Sequence, residues 1–282
     1  MIEIMMTYKP SPKPDFDKPT HIKYDSMETY IWGDDVAGKV KDWIYVSNLS
    51  LHQIIFGMEP RGNFKHSDQY RTIFGADELL YVLSGVLIIN NPENGETHKV
   101  ESGEAVFFRK DTWHHAFNHS DDYLQVLEFF SPPPLQGTSG LYAKEKKLLK
   151  NPIYKRNNLT YPNNKFINED SFKIIKNNNL IWSLEGPDQE VLVGNFVKTE
   201  FLNVKLIKLL PKQKTHIFEF KKHTSYLSLN DNIKVNIVTT TANNELQKLI
   251  NYCKNKKCIN LHINATNVAQ LIGQSNLAII TP

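Results

Sequence analysis

The sequence predicts an all-β protein: two small antiparallel barrels in tandem, the second degenerate, with short helices. Three observations carry this. Short apolar strand-like runs recur along the chain with turn residues between them, the pattern of a sandwich or barrel. A proline-containing polar stretch over residues 131–165 interrupts that rhythm, and the strand pattern then resumes. The length, 282 residues, exceeds most single cores and suits two domains of ordinary size.

The elements follow in order. Residues 1–40 read as an extended N-terminal arm, because Pro10, Pro12, Pro14 and Pro19 fix φ and remove donors. Residues 41–58 are rich in β-branched and aromatic types and read as two strands. Further strands are predicted at Glu78–Leu83, Val86–Asn90, Thr97–Val100, Ala105–Phe108, Trp113–Phe117 and Leu124–Phe130. Turn chemistry separates them, as in Ser84-Gly85, Asn91-Pro92-Glu93-Asn94-Gly95 and Ser102-Gly103. The first barrel therefore spans residues 41–131. Residues 132–165 form the linker, with a short helix over Leu141–Lys150. The second barrel, residues 166–282, has strand-like runs from Phe172 to Val238 and at Leu277–Ile280. One helix interrupts it, where Leu246, Leu249, Ile250 and Cys253 make a single apolar stripe.

Composition narrows the function classes. Hydrophobic residues at 40% and charged residues at 22% are ordinary for a globular protein. A net charge of +3, without a clustered basic stripe, does not argue for nucleic acid. The run Lys144–Lys150 reads as a solvated helix face. The two cysteines, Cys253 and Cys258, have no partners that complete a zinc set and read as free thiols of a reducing compartment. No apolar run reaches membrane-spanning length, and Met1 to Pro14 does not have the pattern of a signal peptide. The expectation is a cytoplasmic protein with a small-molecule partner, without nucleic acid or membrane.

Chemistry concentrates between Pro60 and Asn118. Pro60-x-Gly62-x3-His66-x-Asp68 comes first. Glu78-x2-Tyr81-Val82-Leu83-x-Gly85 follows, then Gly103-x10-His114-x3-Asn118. These segments resemble the two signature motifs of the cupin superfamily, G-x5-H-x-H-x(3–4)-E-x6-G and G-x5-P-x-G-x2-H-x3-N. Glu78-x6-Gly85 matches the end of the first. Gly103, His114 and Asn118 match the second at full spacing, with Arg109 and Asp111 where the family has Pro and Gly. The resemblance covers about residues 45–131 and implies two tandem jelly-roll barrels of cupin type (a bicupin).

The departures leave alternatives open. The nearest histidine before Glu78 is His66, twelve residues upstream. Either a loop insertion lets His66-x-Asp68 replace His-x-His, or the first histidines are lost. Asp68 reads as a turn residue in the second case. His114 and His115 are strand neighbours, so only one can enter the barrel; the motif spacing selects His114 and leaves His115 outward, at a domain or subunit contact.

The resemblance implies His66, Glu78 and His114 as metal ligands for a divalent ion such as iron, manganese, nickel or zinc. Imidazole and carboxylate together suit such an ion and leave positions open for substrate or dioxygen. Arg71 is a candidate clamp for a substrate carboxylate, and Tyr81 a candidate base. Each has a plainer reading: His114 as a core histidine, Arg71 as a salt-bridge partner, Tyr81 as core. The implied activity is that of a metal-dependent enzyme acting on a small polar or carboxylated molecule. A dioxygenase comes first, an isomerase or lyase next. The competing class is a non-catalytic small-molecule-binding or structural cupin. A homodimer is what the family implies.

The second half lays on the first with losses. Leu209-Leu210-Pro211 corresponds to Met58-Glu59-Pro60, and His223-x2-Tyr226-x3-Asn230 to Glu78-x2-Tyr81-x3-Gly85. His216 lies near the His66 position. No counterpart of Gly-x10-His-x3-Asn follows, so this barrel is expected to lack a working metal site.

Overall fold

The computed structural model describes residues 11–16, 20–22, 27–49, 51–133, 140–156 and 170–208. Beyond these it describes short segments, chiefly 218–219, 224–228, 233–238, 260–263, 268–273 and 276–281. The helix expected over 246–253, Cys253, Cys258, His216 and His223 lie outside the described residues.

Strands dominate, as the turn-punctuated sequence predicts. They begin with β1 (Thr20–His21), β2 (Glu28–Asp34), β3 (Gly38–Ser47), β4 (His52–Met58), β5 (Asn63–Phe64), β6 (Asp77–Ser84) and β7 (Val86–Asn91). There follow β8 (Glu96–Glu101), β9 (Ala105–Phe108), β10 (His115–Asn118), β11 (Leu124–Ser131) and a short helix, α1 (Gly140–Glu145). After it come β12 (Lys173–Ile175), β13 (Ile181–Glu185), β14 (Val191–Lys198) and β15 (Asn203–Lys208). The last are β16 (Phe218–Glu219), β17 (Thr224–Ser228), β18 (Ile233–Val238), β19 (Asn260–Ile263), β20 (Val268–Gly273) and β21 (Asn276–Thr281). The strand at Glu28–Asp34 falls in the stretch read as an arm. The expected helix 141–150 is shorter, ending at Glu145. No helix among the described residues is long and apolar enough to cross a membrane.

A seven-stranded sheet, β12-β9-β6-β11-β4-β3-β2, and a four-stranded sheet, β5-β10-β7-β8, form the first barrel. The second has a seven-stranded sheet, β1-β19-β17-β21-β15-β14-β13, and a three-stranded one, β16-β20-β18. All pairings are antiparallel, the tandem jelly-roll arrangement. The chain crosses between the units at both ends. β12, from the part read as the second barrel, adds to β9 of the first sheet. β1, from the arm, adds to β19 of the second.

The large sheet of the first barrel is buried on both faces, which is why its strands read as continuous apolar runs. Side chains alternate across it with period two. Leu80, Val82, Leu124, Val126 and Phe130 point into the barrel. Leu79, Leu127 and Phe129 point the other way, against Phe196, Leu202, Val204 and Leu206. Each fully buried side chain of this size contributes about 1.5–3 kcal/mol.

Two motif positions are explained by backbone demands. Asp111 takes φ +65°, so the turn before His114 needs the left-handed conformation that a family glycine adopts freely. Asn118 Nδ2 donates to the carbonyls of Met58, Glu59 and Asp122 at 3.2, 3.0 and 2.8 Å, tying the loop ends of three segments together.

Because Phe129 is 1% exposed in the doubly covered sheet and Ile181 is 76% exposed on an edge strand, their truncations should differ sharply. Phe129→Ala should cost about 3–5 kcal/mol and Ile181→Ala under ~0.5 kcal/mol, read by urea denaturation.

Candidate metal centre in the first barrel

The site rests on the register between β6 and β11. Glu78 pairs with Phe130 and Glu128 with Leu80. Glu78 and Glu128 are therefore diagonal neighbours on adjacent strands and share the inward face. His114 comes from the turn just before β10, on the opposite wall. Ligand atoms of Glu78, His114 and Glu128 all lie within 4.8 Å of one another, and all three residues are buried.

His114 is oriented for coordination. Its Nδ1 is within 3.3 Å of the Thr112 carbonyl, so Nδ1 is assigned the proton and Nε2 keeps its lone pair. Nε2 stands 3.8 Å from Glu78 Oε2. Phe74 and Phe108 pack on the imidazole, with centroids 5.9 and 4.8 Å away. Burial pushes its pKa down to about 4, so it is neutral at physiological pH.

The carboxyls respond in the opposite sense. Glu78 is raised well above the ordinary carboxylate range by burial, then by the charges of Glu128 and Asp77. Glu128 is raised by burial and by Asp42. Asp42, on β3 in phase with Val40 and Ile44, is raised by burial alone. Glu78 Oε2, Asp42 Oδ1 and Thr72 Oγ1 are buried without a hydrogen-bond partner. Orphaned carboxylate oxygens in an apolar interior are costly unless a proton or cation neutralises them.

A cavity of about 100 Å³ opens beside the cluster. Asp42, Thr72, His114 and Glu128 contribute polar groups to its wall. Trp32, Phe56, Phe64, Phe74 and Phe130 supply most of the rest, and residues 11–13 and His52 close one end. An engineered apolar cavity of ~150 Å³ accepts benzene, so this one suits a molecule of a few heavy atoms.

Three sequence expectations meet a different geometry. His66 does not join Glu78 and His114. The inward strand β5 ends at Phe64, and His66 lies beyond it. Its Nδ1 is 2.7 Å from His115 Nε2 and its Nε2 is 2.8 Å from the Leu149 carbonyl. His115 does face away from His114, buried against His66 and Tyr154. Arg71 is turned out of the barrel. Its Nη1 donates to the carbonyls of Ala143, Lys144 and Lys146 at 3.0, 3.2 and 2.8 Å, closing the C-terminal end of α1. Tyr81 has the opposite parity to Glu78, so strand alternation sends it to the interface between the barrels, edge-on to Phe196 at 5.7 Å. Asp68 is exposed.

Glu128 and Asp42 were not singled out from the sequence, although a signal existed. Each is an acid in phase with the inward apolar residues of its strand: Leu124, Val126 and Phe130 for Glu128, Val40 and Ile44 for Asp42. Another close group, Glu96, His98 and Asp170, is already satisfied. Glu96 accepts from the amides of Ser171 and Phe172 at 2.7 and 3.0 Å, and Arg156 bridges it to Asp170.

Comparison with known proteins agrees with this architecture. Residues 75–130 match the family described as Cupin domain. The stretch holds Glu78, His114 and Glu128. The matched stretch is a cupin domain, and the chain folds as two tandem barrels. Among solved structures it is similar to protein Ylba of E. coli, with 10% identity and TM-score 0.59 over 94% of this chain and 90% of that one. It is likewise similar to the oxalate decarboxylase of Lactobacillus farciminis in its formate complex: 10% identity, TM-score 0.58, 97% and 88% covered. A candidate dioxygenase of Nostoc punctiforme has 9% identity and TM-score 0.61 over 94% of this chain and 82% of that one. No curated protein sequence matches the chain.

The pKa directions give a sign for stability. Glu78 and Glu128 are raised in the fold, so in metal-free protein their contribution is complete below the unfolded carboxylate range of about 4. It is lost as pH rises through their folded values. His114 and His52, both lowered to about 4, act oppositely and lose stability as pH falls from about 6.5. Glu128→Gln should therefore raise the Tm of chelator-treated protein near about pH 8 by roughly 2–4 °C per kcal/mol relieved, with the gain vanishing near pH ~4. Scanning fluorimetry checks this.

Proposed function

We propose that the first barrel is a metal-dependent enzyme site in which Glu78, His114 and Glu128 hold a divalent cation. The observation behind this reading is the orphaned, buried Glu78 oxygen facing the free nitrogen of a neutral histidine, with a second carboxylate beside them. One imidazole and two carboxylates fit a borderline or hard divalent ion, with iron and manganese ahead of nickel and zinc. Glu128 takes the place that His66 holds in the motif-based ligand set.

The reaction class that fits best is dioxygenation of a small carboxylated molecule, with isomerase or lyase chemistry next. Similarity to an oxalate decarboxylase and a candidate dioxygenase supports a small acid as substrate. When bound, the ion supplies Lewis-acid polarisation and, if iron or manganese, redox chemistry. The chain does the rest. Its aromatic wall excludes water and so strengthens the electrostatics inside. The Thr112 carbonyl fixes the His114 tautomer. Asp42, whose carboxyl burial biases toward the protonated form, would offer a proton at the cavity wall for exchange with substrate. Tyr81, behind the sheet, takes no part.

A second reading draws on the hydrocarbon that makes up most of the cavity wall: a binding protein without catalysis. Turnover separates the two, since both tolerate a bound ion.

The test is elemental analysis of protein loaded with Fe²⁺, Mn²⁺, Ni²⁺ or Zn²⁺ and then desalted. One ion per chain is expected for at least one metal. Glu128→Gln and His114→Ala should lose it, and His66→Ala should keep it. Retention of no metal by the wild type overturns the reading.

A further inference from the structure

The cavity has two chemically different ends. One carries Asp42, His114 and Glu128. The other is closed by residues that precede the barrel altogether: Ser11, Pro12 and Lys13 of the arm. Among the described residues, Lys13 is the sole lysine or arginine in the cavity wall, where it joins Ser47 and His52. No carboxylate of the described residues pairs with it.

This end is built. Ser47 N donates to the Pro14 carbonyl at 2.7 Å, which fixes the arm immediately after Lys13 to the end of β3. Asn48 Nδ2 donates to Asp15 Oδ1 at 3.0 Å, a second tie on the same stretch. Asp15 is occupied there and does not neutralise Lys13. His52 Nδ1 is 2.9 Å from Ser47 Oγ, and its ring leans on Phe130 with centroids 5.3 Å apart. His52 is half-buried, and its pKa is lowered to about 4 by desolvation and then by the charge of Lys13. Proline on both sides, Pro12 and Pro14, limits the backbone freedom of the lysine and keeps its position defined.

We infer that Lys13, with Ser47 and His52 beside it, is a carboxylate-binding subsite at the arm-closed end of the cavity. Lys13 is exposed, so its ammonium stands at the solvent-facing rim of the cavity, where it favours an anion, and the small volume restricts the partner to a compact acid. The inference rests on the proposed function for the same cavity, where the candidate metal centre takes the reacting group. It assigns to Lys13 the anion-holding role that Arg71, committed to the carbonyls of α1, does not fill.

The test is calorimetric titration of the full-length protein with malonate, with neutral malonamide as control, in Mn²⁺-loaded and chelator-treated samples. Lys13→Met should weaken malonate about tenfold or more, the loss of one charge-assisted hydrogen bond. Lys13→Arg should restore most of the affinity, and malonamide should bind at least about tenfold more weakly than malonate. Equal malonate affinity in wild type and Lys13→Met overturns the inference, as does no malonate binding to the wild type or malonamide binding as tightly as malonate. Mn²⁺ content, measured on the same samples, separates the two claims. Unchanged Mn²⁺ in Lys13→Met with weakened malonate supports both. Lys13-dependent malonate binding by wild type that retains none of Fe²⁺, Mn²⁺, Ni²⁺ or Zn²⁺ after loading supports the subsite and overturns the metal centre.

Discussion

The structure turns on carboxyl groups carried into a hydrocarbon interior by strands whose neighbours leave them no alternative face. β6 lies between β9 and β11, and β11 between β6 and β4. Both faces of that sheet are covered, one by the barrel interior and one by the second unit. Moving Glu78 or Glu128 out of the barrel would require a one-residue slip, which would invert every apolar side chain on the strand. Packing of Leu80, Val82, Val126 and Phe130 therefore holds the acids where their ionisation is unfavourable. That cost falls away only when a proton or a cation neutralises the carboxyls.

The same economy explains the other polar groups of the first barrel. His114 is kept neutral by burial, with one nitrogen assigned to a carbonyl and the other open. Asn118, the last residue of the second motif, holds the turn at the barrel end by donating to three carbonyls. Arg109, in place of the family proline, reaches Asp77 at 3.2 Å and Glu200 at 2.5 Å, and so ties the first barrel to the second. Residues of one motif thus divide between the buried acid–imidazole cluster, loop closure and contact between units.

The arm and β12 show how the two units depend on each other. Each lends a strand to the other's sheet, and the lent strands cover edges that would otherwise be open. The route of the arm to β1 also carries Ser11 to Lys13 past the mouth of the first barrel. A segment that looks like a proline-rich tail in the sequence becomes part of a cavity wall, because β1 is bound in the second sheet and Pro14 is bound at Ser47.

The all-β class, most strand positions in the first barrel, and the choice of His114 over His115 were legible in one dimension. They depend on local turn chemistry, period-two alternation and motif spacing. Glu78 was legible for the same reason. Glu128 and Asp42 left only a weak trace, an acid in phase with apolar neighbours, because convergence on one point depends on the register between strands far apart in sequence. His66, Arg71 and Tyr81 were misplaced in the reading for related reasons. The end of β5 at Phe64 released His66 to the outer side, the carbonyls of α1 captured Arg71, and the second unit gave Tyr81 an apolar surface to cover. Local sequence specifies which residues alternate and where the chain turns. Only the folded sheets decide which alternating face encloses the cavity and which side chains meet across it.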